Sequence, residues 1–398
     1  MNVKKVASER ILSVDIMRGL TLLLMLFVND LFEPGVPAWL LHTKVDVDGM
    51  GLADWVFPGF LFIVGVSVPY AIRSRLNKGE SKRQIIGHIA VRTLSLLIIG
   101  VYIVNIERLN ESLTGMSRYA WAILLYVSVF LIWNNYPDRQ EQRIFFALKG
   151  LGLVIMLILA FIFRAGEPGN VLWLETSWWG ILGLIGWGYF VAALASLLLN
   201  GQIVALLCLW IFFVILNVLS SSGILVWPEM INSVFGVVLD GNIPSIVLIG
   251  VIVGILIKSE KLAKEKIVFL ISLMGTFSLL LGFFLRNWFI LSKIGGTPSW
   301  AFVCNGISLL IYVFLYFLVD IKRYSTRWGN LFRFAGRNSL TTYLAPDVIY
   351  FVCWGWGISF FYKQTSSQLL AIGGSMIWAF LMLGFAWLLT RMHIRLKL

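Results

Sequence analysis

The chain reads as an all-α, polytopic transmembrane helical bundle, and three observations predict it. Of its 398 residues 59% are hydrophobic and only 13% charged, with a mean hydropathy of +0.87, outside the range of soluble globular domains. Apolar stretches long enough to cross a bilayer recur from end to end. Lysines and arginines gather in the short segments between those stretches, as the positive-inside rule expects. That distribution makes the net charge of +12 a matter of membrane topology and excludes a nucleic-acid binder.

About 12 spans (10–12) are predicted, near 12–33, 52–72, 87–106, 119–134, 144–163, 178–198, 203–219, 243–257, 267–285, 301–320, 338–360 and 368–390. One bundle takes up the whole of 1–398, so a single domain is expected, with 12–106 as its core and 178–219 as an added helix pair. With a cytoplasmic N-terminus, 23 lysines and arginines fall in inside segments and 7 outside, while Arg18 and Arg92 lie within spans. The asymmetry places both termini in the cytoplasm. The start MNVKKVASER is short and basic with no cleavage site before the first span, so no removable signal peptide is expected. Cys208, Cys304 and Cys353 have no metal or disulfide spacing and read as small core residues.

The first two spans hold the most unusual chemistry. In SVDIMRGLTLLLMLFVNDLF, Asp15, Arg18, Met25 and Asn29 fall on one helical stripe, because their spacings stay close to whole turns. Arg18 and Asn29 lie about 16 Å apart along the axis at 1.5 Å per residue. Ionised groups in such a helix are costly. Asp15 and Arg18 could simply pair at the end of a span, but Asn29, His42 and Asp54 collect at the opposite end and argue for function.

Later spans add fewer signals. Span three carries His88, Arg92 and Ser95 as a polar stripe near its cytoplasmic end, where an arginine can also snorkel to the headgroups. Spans six and seven are apolar all round and read as packing or lipid-facing helices. Span eleven has Pro346 as an expected kink and Asp347 deep in an apolar run, a functional candidate unless it answers one of the bundle's arginines. The outer loops hold acidic residues, Asp46, Asp48 and Asp240 among them, with Trp173, Trp227 and Trp300. That mixture suits a sugar or amine, and an interfacial aromatic belt explains the tryptophans equally well.

His42 is the one histidine expected on the outer side. An imidazole there can take a proton from an incoming amine or hydroxyl. An amide N–H from Asn29 can steady an oxyanion developing on a thioester carbonyl. There is no Walker loop, HExxH or GxSxG, and no internal repeat of the kind a transporter of inverted halves shows.

The segment SVDIMRGLTLLLMLFVND, then His42, then GLADWVFPGFLFIVGVS resembles the heparan-α-glucosaminide N-acetyltransferase family and its bacterial relatives, part of a wider group of transmembrane acyltransferases. The likeness continues in AVRTLSLLIIG, where Arg92 matches a family arginine, and in NSLTTYLAPD, through Asn338, Ser339, Tyr343 and the acidic Asp347. It is specific in the first hundred residues and weak in the middle. The loops beside His42 look about two residues longer than in the lysosomal family members, where a histidine also stands in place of Pro346.

The resemblance implies a multi-pass enzyme of a bacterial inner (plasma) membrane. It would move acetyl from cytosolic acetyl-CoA to an amino or hydroxyl group of a periplasmic sugar or glycan. It puts the family's functional histidine and asparagine on His42 and Asn29, with Asp54 beside them as a third catalytic candidate. Arg18, Arg92, Asp15, Asn338 and Ser339 are the donor-site candidates, arginine being suited to phosphate; Asp347, Tyr343 and Asp240 are those for the acceptor. No metal is expected. Partners are acetyl-CoA, the glycan acceptor and the bilayer, with a homodimer left open. The alternative is a secondary transporter of an amine, sugar or lipid with Arg18, Arg92 and Asp347 as coupling charges.

Overall fold

Charge and hydropathy place helices along nearly the whole chain, and a computed structural model, describing residues 11–137, 142–259, 262–325, 327–365 and 367–398, is built on them. The basic start 1–10, with Arg139 and Lys261 of the inside set, lies outside the described residues. In order the elements are α1 (Leu12–Asp30), α2 (Leu52–Asn77), α3 (Lys82–Asn105), α4 (Glu111–Thr114), α5 (Arg118–Trp133) and α6 (Gln142–Ile162). A hairpin of β1 (Ala165–Glu167) and β2 (Asn170–Leu172) follows, then α7 (Gly180–Leu198), α8 (Ile203–Ser221), α9 (Glu229–Leu239), α10 (Asn242–Lys258) and α11 (Lys264–Leu285). The chain continues with α12 (Pro298–Tyr316), α13 (Asn330–Arg337), α14 (Ser339–Gly355) and α15 (Gln368–Arg391).

Among the described residues, ten helical runs are long and apolar enough to cross a membrane. Helices α5, of 16 residues, and α14, of 17, fill the places expected for the fourth and eleventh spans. Sequence periodicity missed α9, α13 and the hairpin. The eight residues of α13, NLFRFAGR, carry too much charge to read as a span and too few turns to show a period.

Helix α2 is the centre of the bundle, packed against α10, α1, α7 and α12. In lipid there is no hydrophobic drive between helices, so close backbone approach through small residues does the work. A Cβ at Gly65 of α2 would meet Val247 O at 2.0 Å, and one at Gly250 of α10 would meet Phe62 O at 2.2 Å. Helices α6 and α8 present most of their surface outward. Cys208, expected in the core, is exposed on α8 because that helix is peripheral; Cys304 is buried. Trp300, read as a loop tryptophan, is buried near the start of α12, where its indole N–H donates to Asp54 O at 3.2 Å.

Helix α1 lacks a capping side chain at Ile11. The Asp320 carboxylate, from the π-helical turn after α12, instead accepts from the N–H groups of Leu12 and Ser13 at 3.0 and 3.1 Å. A carboxylate there satisfies two orphan donors and meets the positive end of the helix dipole. It fixes the start of α1 against the end of α12. Helix α13 crosses α1 through glycines: a Cβ at Gly336 would lie 2.3 Å from Asp15 O, and one at Gly19 only 1.8 Å from Phe332 O. That crossing brings the α13–α14 junction beside Arg18.

Candidate active site

A cleft of about 490 Å³ opens between α1, α2, α3, α7 and the α13–α14 junction. Its walls include Arg18, Arg92, Asn338, Ser339 and Tyr343, from three separated parts of the chain. The Arg18 guanidinium donates to Gly336 O at 3.2 Å and to the Ser67 hydroxyl, which anchors it between α1, α2 and α13. Arg92 lies over the Tyr189 ring, 4.6 Å from its centroid, so a cation held on an aromatic face lines the cleft. Leu22 and Met25 carry the cleft inward along α1, and Val64 and Phe60 along α2.

Asp15 stands behind this wall. It is buried, with its carboxylate 3.8 Å from Arg18 and 3.4 Å from Arg337. Its geometry holds two cleft arginines in place rather than reaching the cleft space.

At the other end of the same two helices, His42 meets Asp54. Asp54 is the third residue of α2, fully buried, and its Oδ2 accepts from the N–H groups of Thr43 and Gly51, both at 3.0 Å. Its Oδ1 is 2.7 Å from His42 Nδ1. A carboxylate in the first turn of a helix is stabilised by the dipole and the free N–H groups there. With Nδ1–H donating to that carboxylate, Nε2 is left as the acceptor, and the imidazole is 45% exposed and open to a reactant. Asn29, at the adjoining end of α1, is exposed, and no side-chain bond ties it among the described residues.

Sequence reasoning missed Lys293. Its Nζ lies 3.3 Å from His42 Nδ1 and 3.4 Å from Ala53 O. Burial pushes this ammonium below its ordinary value, and the charge of Asp54 opposes that shift. The loop bearing Lys293 is held on the His42 loop by Asp48, whose carboxylate takes Arg286 Nε at 2.8 Å and Leu291 N–H at 2.8 Å. Ser292 Oγ–H adds a bond to Val45 O at 3.0 Å. The Leu291 N–H, with Arg286 beside it, holds the Asp48 carboxyl below its ordinary value despite some desolvation. Nothing in the local spacing ties residue 293 to residue 42.

The remaining candidates lie apart. Asp347, a functional candidate unless it answered an arginine, accepts from Tyr126 Oη at 2.5 Å and does not line the cleft, though Tyr343, one turn earlier on α14, does. Helix α14 runs through Pro346. Asp240 caps the α9–α10 corner and accepts from Ser220 Oγ at 2.8 Å, with no contact to His42 or the cleft. His88 lines the cleft beside Arg92, whereas Ser95, from the same expected stripe, accepts from the Trp133 indole at 3.0 Å. Next to Asn29, buried Asp30 holds Lys363 Nζ at 2.8 Å and the Tyr350 hydroxyl.

Residues 10–234 match a family described as "Domain of unknown function (DUF5009)". Over 102 residues the chain is 39% identical to the heparan-alpha-glucosaminide N-acetyltransferase of Mus musculus, and over 96 residues 42% identical to that of Homo sapiens. These matches take in 26% and 24% of this chain. They span only 15% and 14% of the two relatives.

Proposed function

This chain belongs to the DUF5009 family, and from that premise, joined to the similarity with two heparan-alpha-glucosaminide N-acetyltransferases, we propose that it is a transmembrane acetyltransferase. Acetyl-CoA binds in the Arg18 cleft from the cytoplasm, and a sugar or glycan amine or hydroxyl accepts the acetyl group beside His42 on the outer, periplasmic side of a bacterial inner membrane. One observation carries the reading. The cleft gathers Arg18, Arg92, Asn338, Ser339 and Tyr343 at one end of α1 and α2, while the His42–Asp54 pair stands at the other.

The arginines suit the nucleotide phosphates of CoA through charge-assisted, bidentate bonds. The acyl arm would follow Leu22 and Met25, and the lining residue Phe60 is six residues from Asp54, about 9 Å of helix rise. His42 Nε2 would take the proton of the attacking amine or hydroxyl as its lone pair adds to the thioester carbonyl. Asn29 would donate to the resulting oxyanion. As the C–S bond breaks, the same imidazole returns the proton to the thiolate, giving free CoA thiol and acetylated acceptor. Asp54 would steady the imidazolium between those steps, in the way a carboxylate serves an acid–base histidine. In a covalent variant of this scheme His42 carries the acetyl group itself.

The transporter alternative needs Asp347 to share a space with Arg18 and Arg92; its bond to Tyr126 speaks against that. The decisive experiment incubates the purified chain with labelled acetyl-CoA and a panel of amino sugars, with products read by mass spectrometry. Acetylated sugar and released CoA support the reading; CoA binding without product from any acceptor class argues against it.

A further inference from the structure

The segment after α15 is strapped across the mouth of the cleft. At His393 the backbone enters the left-handed region, φ +61°, which turns the chain back on leaving α15. Ile394–Leu398 then lies against the end of α5 and the start of α14. Asn135 N–H donates to Arg395 O at 2.8 Å, Arg395 N–H to Asn134 Oδ1 at 2.8 Å, and Lys397 N–H to Trp133 O at 2.9 Å. Leu396 N–H donates to Thr341 Oγ1 at 2.9 Å, and its side chain is buried. With the backbone so fixed, Arg395 and Lys397 both line the cleft. The Arg395 guanidinium also donates to Arg337 O at 3.3 Å, which directs it to the cleft wall.

The side-chain charges that line this cleft do not balance. Asp15 faces Arg18 and Arg337, and Glu80 takes Arg75 at 2.8 Å with His88 at 3.5 Å. Among the described residues no carboxylate pairs with Arg92, Arg395 or Lys397. Three such cations lining one cleft, all of them exposed, favour an anion of more than one charge. Arg18 lies six residues into α1, about 9 Å of helix rise beyond its start, whereas the strap bonds only to helix ends and the loop after α5. The Arg18 and Arg395 guanidiniums are held on neighbouring carbonyls, Gly336 O and Arg337 O, with Arg18 the inner, mostly buried cation and Arg395 and Lys397 the exposed, outer ones.

We infer that Arg395 and Lys397 form a phosphate subsite at the cleft mouth that takes the 3′-phosphate of CoA, while Arg18 serves the diphosphate deeper in. The inference rests on the donor reading above: an acyl arm pointing toward His42 leaves the ribose 3′-phosphate as the outermost anion. Anionic lipid headgroups carry the same phosphate chemistry, so the test separates the two sources.

Calorimetry on the full chain in phosphatidylcholine nanodiscs compares CoA with dephospho-CoA. The wild type should prefer CoA by about 10- to 100-fold, the worth of one or two charge-assisted contacts. Arg395→Gln/Lys397→Gln should bind CoA only as well as dephospho-CoA, with dephospho-CoA affinity unchanged. The charge-conserving Arg395→Lys/Lys397→Arg should keep the preference, and supports the subsite even if the glutamine variant fails to fold. Arg391→Ala, whose guanidinium stacks on Trp387 away from the cleft, should leave both affinities unchanged. A CoA preference surviving in the glutamine variant, or equal loss for both ligands, overturns the subsite. So does phosphatidylglycerol that displaces CoA from the wild type through these two residues, which marks a lipid site. A wild type that binds neither nucleotide overturns the donor reading itself, a result distinguishable from all of these.

Discussion

Asp54 Oδ1 lies 2.7 Å from His42 Nδ1, and the carboxylate's second oxygen is taken up by two backbone N–H groups at the start of α2. The carboxylate is thus fixed by the helix terminus before any reactant arrives, and the imidazole is oriented by the carboxylate. His42→Ala should lower the transfer rate by about 10²–10⁴-fold, the usual contribution of a general base. Asp54→Asn should fall within the same range by losing both charge and tautomer control. Asn29→Ala should lose about 10²–10³-fold as an oxyanion donor. All three should bind CoA like the wild type, as their side chains lie outside the cleft. Single-turnover rates alongside CoA titration check this; a His42→Ala protein with the wild-type rate would remove the proposed site.

Much of this geometry was legible in the sequence because helices turn spacing into faces. Arg18 and Met25 share the cleft wall as their seven-residue spacing requires. Arg92, Asn338 and Ser339, expected at the donor, line the same cleft, and Tyr343, expected at the acceptor, lines it with them rather than standing by His42. Lys293, Arg395 and Lys397 were not legible as site residues. Each is brought in by a loop or tail whose path depends on long-range bonds such as Asp48 to Leu291 N–H and Thr341 to Leu396 N–H. Asp15 illustrates the opposite error. It lies at the expected end of α1 but its carboxylate faces Arg18 and Arg337 rather than the cleft space.

Donor affinity should fail separately from catalysis. Arg18→Ala or Arg92→Ala removes a charge-assisted phosphate contact worth about 1.5–3 kcal/mol, which corresponds to a loss of CoA affinity of roughly 10- to 100-fold. Arg18 also ties Gly336 to Ser67, so its variant should melt lower, whereas Arg92→Ala should keep the wild-type melting temperature. Isothermal titration on both variants gives the answer. Unchanged affinity in both would leave these arginines as packing or topology elements.

Docking of the Lys293 loop on the His42 loop should weaken in acid. The Asp48 carboxyl is held below its ordinary value in the folded chain, chiefly by Leu291 N–H. Its contribution is therefore complete above the unfolded carboxylate value, about 3.9, and is lost as pH falls through the lower folded value. Hydrogen exchange at Leu291 and Gly49, whose N–H groups bond Asp48 Oδ1 and Leu291 O, should stay slow at neutral pH and speed up, after correction for intrinsic rates, below about pH 4. Asp48→Asn should show the faster exchange at neutral pH as well. Equal protection at pH 7 and pH 3 in the wild type would show that Asp48 does not hold the loop.

The acetyl group has to cross the bilayer if the donor and acceptor ends face opposite sides, and the charge asymmetry of the loops predicts that they do. Position 42 should then be external and position 397 internal. The test uses single cysteines at each place, His42→Cys and Lys397→Cys, in a chain with Cys208, Cys304 and Cys353 replaced. Both sites suit it: the His42 side chain is 45% exposed, and Lys397 is also exposed. An impermeant maleimide should label residue 42 in intact cells and residue 397 only after the membrane is broken. Since α1 alone separates Arg18 from Asn29 by about 16 Å, the two ends of one helix would then face different compartments with the cleft between them. Labelling of both positions in intact cells, or of neither, would put donor and acceptor on the same side. Transfer would then need no passage along Leu22, Met25 and Phe60, and the cleft would have to serve both substrates from one mouth.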